Sequence, residues 1–161
     1  MNVISMMEYG HKTVLDAIQD LPLDRWNVSG VCGLWSVKDI VAHLVSYEHM
    51  FEDVVGVTLD ETRKTPTLEA MLSTGDKFND IQVEPYKSQS SDAVLAAYQK
   101  GWEDTMSTAQ KLPPDLWHKD GLIPWYGDYT LAELMVYSIY GHKREHSAQI
   151  ALYHDTIKAQ S

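Results

Sequence analysis

Cysteine is almost absent from this chain. Cys32 is its single cysteine among 161 residues, so neither an internal disulfide nor a cysteine-based zinc site can form. Beside Gly33 it reads as a small apolar filler, since nothing local marks it as an activated nucleophile. Basic clusters are missing as well. Thirteen Lys and Arg face 23 Asp and Glu, giving a formal net charge of −10 with no Lys/Arg-rich run. Nucleic-acid sites carry a clustered basic footprint, so a phosphate-backbone partner is excluded and the acidic surface reads as solubility. No run reaches the roughly 18 apolar residues of a membrane span, and no basic segment followed by an apolar stretch opens the chain. The expected setting is the cytoplasm, with no membrane partner.

Alternating strand patterns with hairpin turns are lacking too, as are repeats and low-complexity segments, which leaves helices to build the core. The length fits one domain, 1–161, large enough to bury a core unaided. Helical periodicity runs through four long segments. The first spans about residues 2–20, with Ile4, Met7, Val14, Ile18 and Leu21 on one stripe; His11 shares it and Pro22 stops it. The second starts at Ser36, where Ser36-Val37-Lys38-Asp39 predicts a capping box, and carries Ile40, Val41, Leu44, Phe51, Val54 and Val55 inward. The third covers about Ser91 to Leu112 and is ended by Pro113-Pro114. The last opens on a second capping box, Thr130-Leu131-Ala132-Glu133, and runs to about Lys158. Residues 56–90 read as a long crossover with a short extra helix after Thr65-Pro66-Thr67. The expected fold is all-α: a four-helix bundle with that crossover.

Chemistry concentrates on two of these stripes. On the last helix Ser138, His142, Glu145 and His146 fall on or beside the apolar face marked by Leu131, Leu134, Met135 and Ile139. His142 and His146, four apart, put both rings on one side of the helix, able to direct two nitrogens at one ion. His43 is likewise inward on the second helix, and three neutral imidazoles with open positions describe a catalytic rather than a closed structural site. Zn²⁺, Ni²⁺ and Fe²⁺ all accept imidazole. In His142-Lys143-Arg144-Glu145-His146 the Glu directly precedes the second His, unlike the zinc-protease helix, so a metalloprotease is rejected.

The stretch Gly33-Leu34-Trp35-Ser36-Val37-Lys38-Asp39-Ile40-Val41-Ala42-His43-Leu44, with Tyr47-Glu48 after it, resembles the second-helix signature of DinB-like proteins. Gly141-His142-Lys143-Arg144-Glu145-His146-Ser147-Ala148-Gln149-Ile150 resembles their last-helix signature, and Thr74-Gly75-Asp76-Lys77-Phe78-Asn79-Asp80 their crossover. That superfamily includes the DfsB-type branch and bacterial thiol-dependent transferases and isomerases. The resemblance implies a four-helix bundle with a divalent metal on His43, His142 and His146. It also implies a small-molecule substrate and a low-molecular-weight thiol cofactor, in detoxification or stress. A thiol S-transferase is the first reading. The alternatives are a metal-dependent hydrolase and a non-catalytic protein that sequesters a reactive compound.

Smaller readings stay open at this level. Asp39 either orients the His43 ring or serves only as the cap acid. Tyr47 lines the pocket or fills the core, and Trp125 and Tyr126 are placed to cap the site entrance. His11 reads as a satisfied core imidazole rather than a fourth ligand. Trp35 reads as a pin for the helix entry, and Trp26, Trp102 and Trp117 as packing residues. Small bundles often form homodimers, and the aromatic loops offer surface for one.

Overall fold

The computed structural model describes residues 2–159, so Met1, Gln160 and Ser161, the ends of the expected 1–161 unit, lie outside the described residues. Helix α1, Val3–Ile18, is capped by the Asn2 side chain, which accepts from Ser5 N at 3.1 Å. Helix α2, Val37–Leu59, starts at the predicted box: Asp39 Oδ2 accepts from Ser36 N at 2.9 Å and Ser36 Oγ at 2.7 Å, while Asp39 N donates back to Ser36 Oγ. The crossover holds two short helices rather than one, α3 (Pro66–Thr74) and α4 (Phe78–Val83). Asp53, on α2, reaches the first turn of α3 and accepts from Thr67 N at 2.7 Å and Leu68 N at 3.1 Å, satisfying first-turn donors that the Thr65 side chain leaves uncapped. Helix α5, Ser91–Ala109, ends about a turn before the expected stop, and residues 110–112 leave it in a turn.

The last helix is one continuous rod of three parts. Helix α6 (Leu131–Leu134) follows the predicted Thr130 box, a π-helical segment covers Met135–Gly141, and α7 (His142–Ala159) completes it. The sequence carries no sign of the π segment, which changes the inward phase after it. Beyond it the buried positions are Lys143, His146, Ser147 and Ile150, and Glu145 turns outward, correcting its expected place by the apolar face. Among the described residues no strand forms beyond a single bridge between Cys32 and Trp35, and no helix is long and apolar enough to cross a membrane.

α2 packs mainly on α5, and α1 on α7. The core falls into two apolar clusters. One gathers Met7, Phe51, Val54, Trp117, Ile123, Leu131, Met135 and Ile139; the other gathers Val14, Trp26, Ile40, Val41, Leu44, Val94, Tyr98 and Ile150. Their order along each helix shows that α1 runs parallel to the last helix and α2 parallel to α5, the two pairs being antiparallel. A parallel α2–α5 pair requires a connection spanning the bundle, which the crossover provides. Between the clusters every long helix contributes buried polar groups: His11 from α1, His43 and Glu48 from α2, Thr105 from α5, and Lys143 and His146 from α7. The candidate site lies in this polar layer.

Candidate metal centre

His43 projects from the N-terminal third of α2 and is 2% exposed; His146 is 5% exposed and His142 is half-buried. Their ring nitrogens meet although the residues come from helices far apart in the chain. His43 Nε2 lies 2.8 Å from His142 Nε2, and His146 Nε2 lies 2.9 Å from the same atom. All three residues offer ligand atoms within 4.8 Å of one another.

Hydrogen bonding alone does not account for this convergence. In the plane of a neutral imidazole each nitrogen has either one N–H or one lone pair. His146 Nδ1 donates to Gln149 Oε1 at 2.8 Å, which leaves the His146 Nε2 lone pair aimed at the cluster. His142 Nε2 faces two nitrogens at once and can make a good bond with only one. A shared cation satisfies all three, and with metal–nitrogen bonds of about 2.0–2.1 Å, ligands at right angles would be about 2.9 Å apart. The residues present therefore fit a divalent ion.

Burial lowers the pKa of each ring. His43 is pushed down to about 2 by desolvation and then by its two histidine neighbours. His142 falls to about 3 through burial, His146 and Lys143; His146 is also lowered by burial, against an opposing bond from Gln149. The triad is thus neutral at pH 7, the state in which imidazole binds metal.

Aromatic rings enclose the cluster. Tyr47 meets His43 edge-on at 4.7 Å between centroids and His142 at 4.3 Å, and burial raises its phenol pKa, so it stays protonated. Trp35, expected only to pin the helix entry, also lies against His43 at 4.8 Å. Asp39 is held by the α2 cap. Trp125 and Tyr126 make no ring contact with the three histidines among the described residues. Trp125, 40% exposed, lines a different groove with Val54, Thr58, Leu68, Leu72 and Leu122, and Tyr126 lies tilted against Tyr129 at 4.8 Å.

His11 lies outside the cluster. Its Nδ1 is 3.2 Å from Tyr98 Oη and its ring stacks on Trp102 at 4.4 Å, a partnered core imidazole. Burial, and secondarily Lys143, lowers its pKa to about 4. An unfolded histidine titrates near 6.5, so below that pH the unfolded chain binds more protons than the folded one. Stability contributed by these neutral rings is complete above about pH 6.5 and falls as pH drops toward each folded-state value. For His11 alone the loss by pH 5 is about 2 kcal/mol. Urea midpoints of the metal-free protein should decline between pH 7 and 5, before most carboxylates titrate, and His11→Gln should flatten that slope. A midpoint constant across this range would contradict neutral burial.

Sequence reasoning missed two groups here. Gln149 orients His146, a role that depends on which ring nitrogen faces outward. The other is a buried ion pair, Glu48 with Lys143, whose side chains are 0% and 3% exposed. Its signal was present: 44–48–51–55 and 139–143–146–150 are both core-facing spacings, each carrying one charge, of opposite sign.

No curated protein and no solved structure matches this chain. Residues 8–136 match the family described as mycothiol maleylpyruvate isomerase N-terminal domain, a span that contains His43 and Tyr47 and stops before His142. The matched span covers most of the chain, and the helical architecture agrees with it: the chain belongs to the mycothiol maleylpyruvate isomerase N-terminal domain family, within the DinB-like four-helix superfamily.

Proposed function

We propose that this protein is a metal-dependent enzyme that joins a low-molecular-weight thiol to a small electrophile, a thiol S-transferase serving detoxification or stress. The observation that carries the reading is the meeting of three neutral imidazole nitrogens at 2.8–2.9 Å around His142 Nε2. Family membership supports it, since the family is described by an enzyme that uses the thiol mycothiol. His43, His142 and His146 would hold the ion, with Zn²⁺, Ni²⁺ and Fe²⁺ all suited to imidazole. A divalent ion there would keep a bound thiol deprotonated near neutral pH.

The chain's own residues supply placement. Gln149 holds His146 in one tautomer, and Trp35 and Tyr47 exclude water from two sides of His43. The half-buried edge of His142 is the side from which a small molecule reaches the cluster. In the reaction the thiol S–H breaks, its proton going to solvent, and the sulfur bonds to an electrophilic carbon. That carbon either releases a leaving group with its electron pair or, in an addition, opens a π bond whose far atom takes up a proton from solvent. No nucleophile from the protein is needed. A small-molecule substrate and a cytoplasmic setting, where such thiols are reduced, belong to the same proposal.

The test is conjugation of mycothiol or a related thiol with a series of electrophiles, using protein stripped by chelator and then reloaded with each metal. Turnover that requires both metal and thiol is expected. Turnover inhibited by thiol would replace this reading with metal-dependent hydrolysis. Tight binding of the small molecule with no product would make the protein a sequestering one.

A further inference from the structure

The two helices that carry the histidines are not each other's main neighbours, since α2 packs mostly on α5 and α7 mostly on α1. Something else must fix how far α2 slides along α7. Besides the histidines, the buried polar connection across these helices among the described residues is Glu48 with Lys143. Glu48 lies five residues beyond His43 on α2, and Lys143 sits between His142 and His146 on α7.

We propose that this buried ion pair is the pin that sets the α2–α7 register, making Glu48 and Lys143 positioning residues for the histidine cluster. The inference rests on the reading of that cluster as a metal site. Apolar stripes can slip past one another at modest cost, because one aliphatic contact resembles the next. A buried carboxylate and ammonium cannot. Sliding α2 by one turn, about 5.4 Å, would leave both charges unpaired inside apolar clusters, at several kcal/mol per ion. The pair therefore has one favourable alignment, and that alignment is the one in which the Nε2 atoms meet.

The surroundings are shaped for it. Lys143 Nζ lies 4.8 Å from the centroid of the Trp102 ring and 5.9 Å from that of Tyr98, both on α5. His11 of α1 holds both rings in place by stacking on Trp102 and bonding Tyr98 Oη. Two positions without a side chain ease the close approach of the helices. A Cβ at Gly101 would stand 3.2 Å from Glu48 Cβ, and one at Gly10 would stand 3.2 Å from Tyr140 Cδ2 and 3.6 Å from Lys143 Cδ. All four long helices thus contribute to one charged contact at mid-height.

A merely structural role and a positioning role separate in the double variant Glu48→Leu with Lys143→Met. Replacing a buried ion pair by apolar groups of similar volume commonly preserves or raises stability. The double variant is expected to keep the parental thermal midpoint or exceed it. Its affinity for Co²⁺, used as the probe ion, should fall at least about 10-fold, the scale seen when groups supporting metal ligands are lost. The visible Co²⁺ absorption band should change shape with it. Lys143→Arg, which keeps the cation, should stay within about threefold of the parent affinity. Glu48→Gln, closer in shape, covers the case in which the double variant does not fold, and a loss of about 3- to 10-fold is expected for it. Parental affinity and spectrum in the folded double variant, or in Glu48→Gln, would overturn the pin while leaving the metal site standing. Failure of the parent protein to bind Co²⁺, Zn²⁺ or Ni²⁺ would overturn the metal reading, and the pin with it.

Discussion

Replacing His142 by alanine lowers the affinity for Zn²⁺ or Co²⁺ by more than about 100-fold and leaves the bundle folded. The size of the effect follows from position. His142 Nε2 is the atom both other rings approach, at 2.8 and 2.9 Å, so its loss removes one ligand and the common neighbour of the other two. Losing a group that only supports a ligand already costs about 10- to 100-fold, and a ligand should cost more. The small effect on folding follows from the ring's other side. His142 Nδ1 has no hydrogen-bond partner among the described residues, and the ring is only half-buried, so truncation removes just the Nε2 contacts with His43 and His146 and lets water reach them. His43→Ala should lower affinity as far but also destabilise the protein, because a fully enclosed ring leaves a cavity. Titration calorimetry on protein prepared without a histidine tag measures both. Undiminished binding in His142→Ala would show that the three histidines do not share an ion.

Phe51→Ala is expected to destabilise the metal-free protein by about 3–5 kcal/mol, read as a shift in the urea midpoint with unchanged m-value. Phe51 is completely buried, in the cluster that also holds Val54, Trp117 and Ile123, with its ring 6.4 Å from that of Trp117. A loss below about 1 kcal/mol would mean that the site collapses around the missing ring. The polar layer adds a sharper expectation. Ile40 belongs to the other cluster, so the milder pair Phe51→Leu and Ile40→Val should have additive effects within about 0.5 kcal/mol. Coupling well beyond that would mean that the layer does not divide the core.

Much of this architecture was legible because local rules decide it. Ser36 and Thr130 announced their helices through the cap chemistry that the structure shows, and Ile40, Leu44, Phe51 and Val55 occupy the core at the spacing that α-helices impose. His43, His142 and His146 stood out because an imidazole on an apolar stripe needs a partner. What escaped was set by contacts between distant segments. Lys143 and Glu48 each break an apolar stripe, and a single long charged side chain in such a place ordinarily reads as one that snorkels to solvent. Only the meeting of α2 with α7 shows that each answers the other. Trp125 and Tyr126 precede the last helix in sequence, yet Trp125 settles in the groove of Leu68 and Leu72, because the loop folds back over α3. The second crossover helix, Phe78–Val83, is too short to reveal itself by periodicity.

The π-helical segment Met135–Gly141 has a consequence for how the site tolerates change. It works as a vernier between two halves of one rod. Upstream, α6 keeps the angular setting dictated by the Thr130 box and by Leu131 and Leu134 in their cluster; downstream, α7 keeps the setting that His142 and His146 require. Each residue of an α-helix advances the direction of its side chain by about 100°. Trimming one residue from this segment while α6 stayed fixed would swing both histidines about that far away from His43. The entry loop and the cluster can therefore vary independently only while the wide turn between them persists, and single-residue deletions there should be far less tolerated than substitutions at exposed Tyr137.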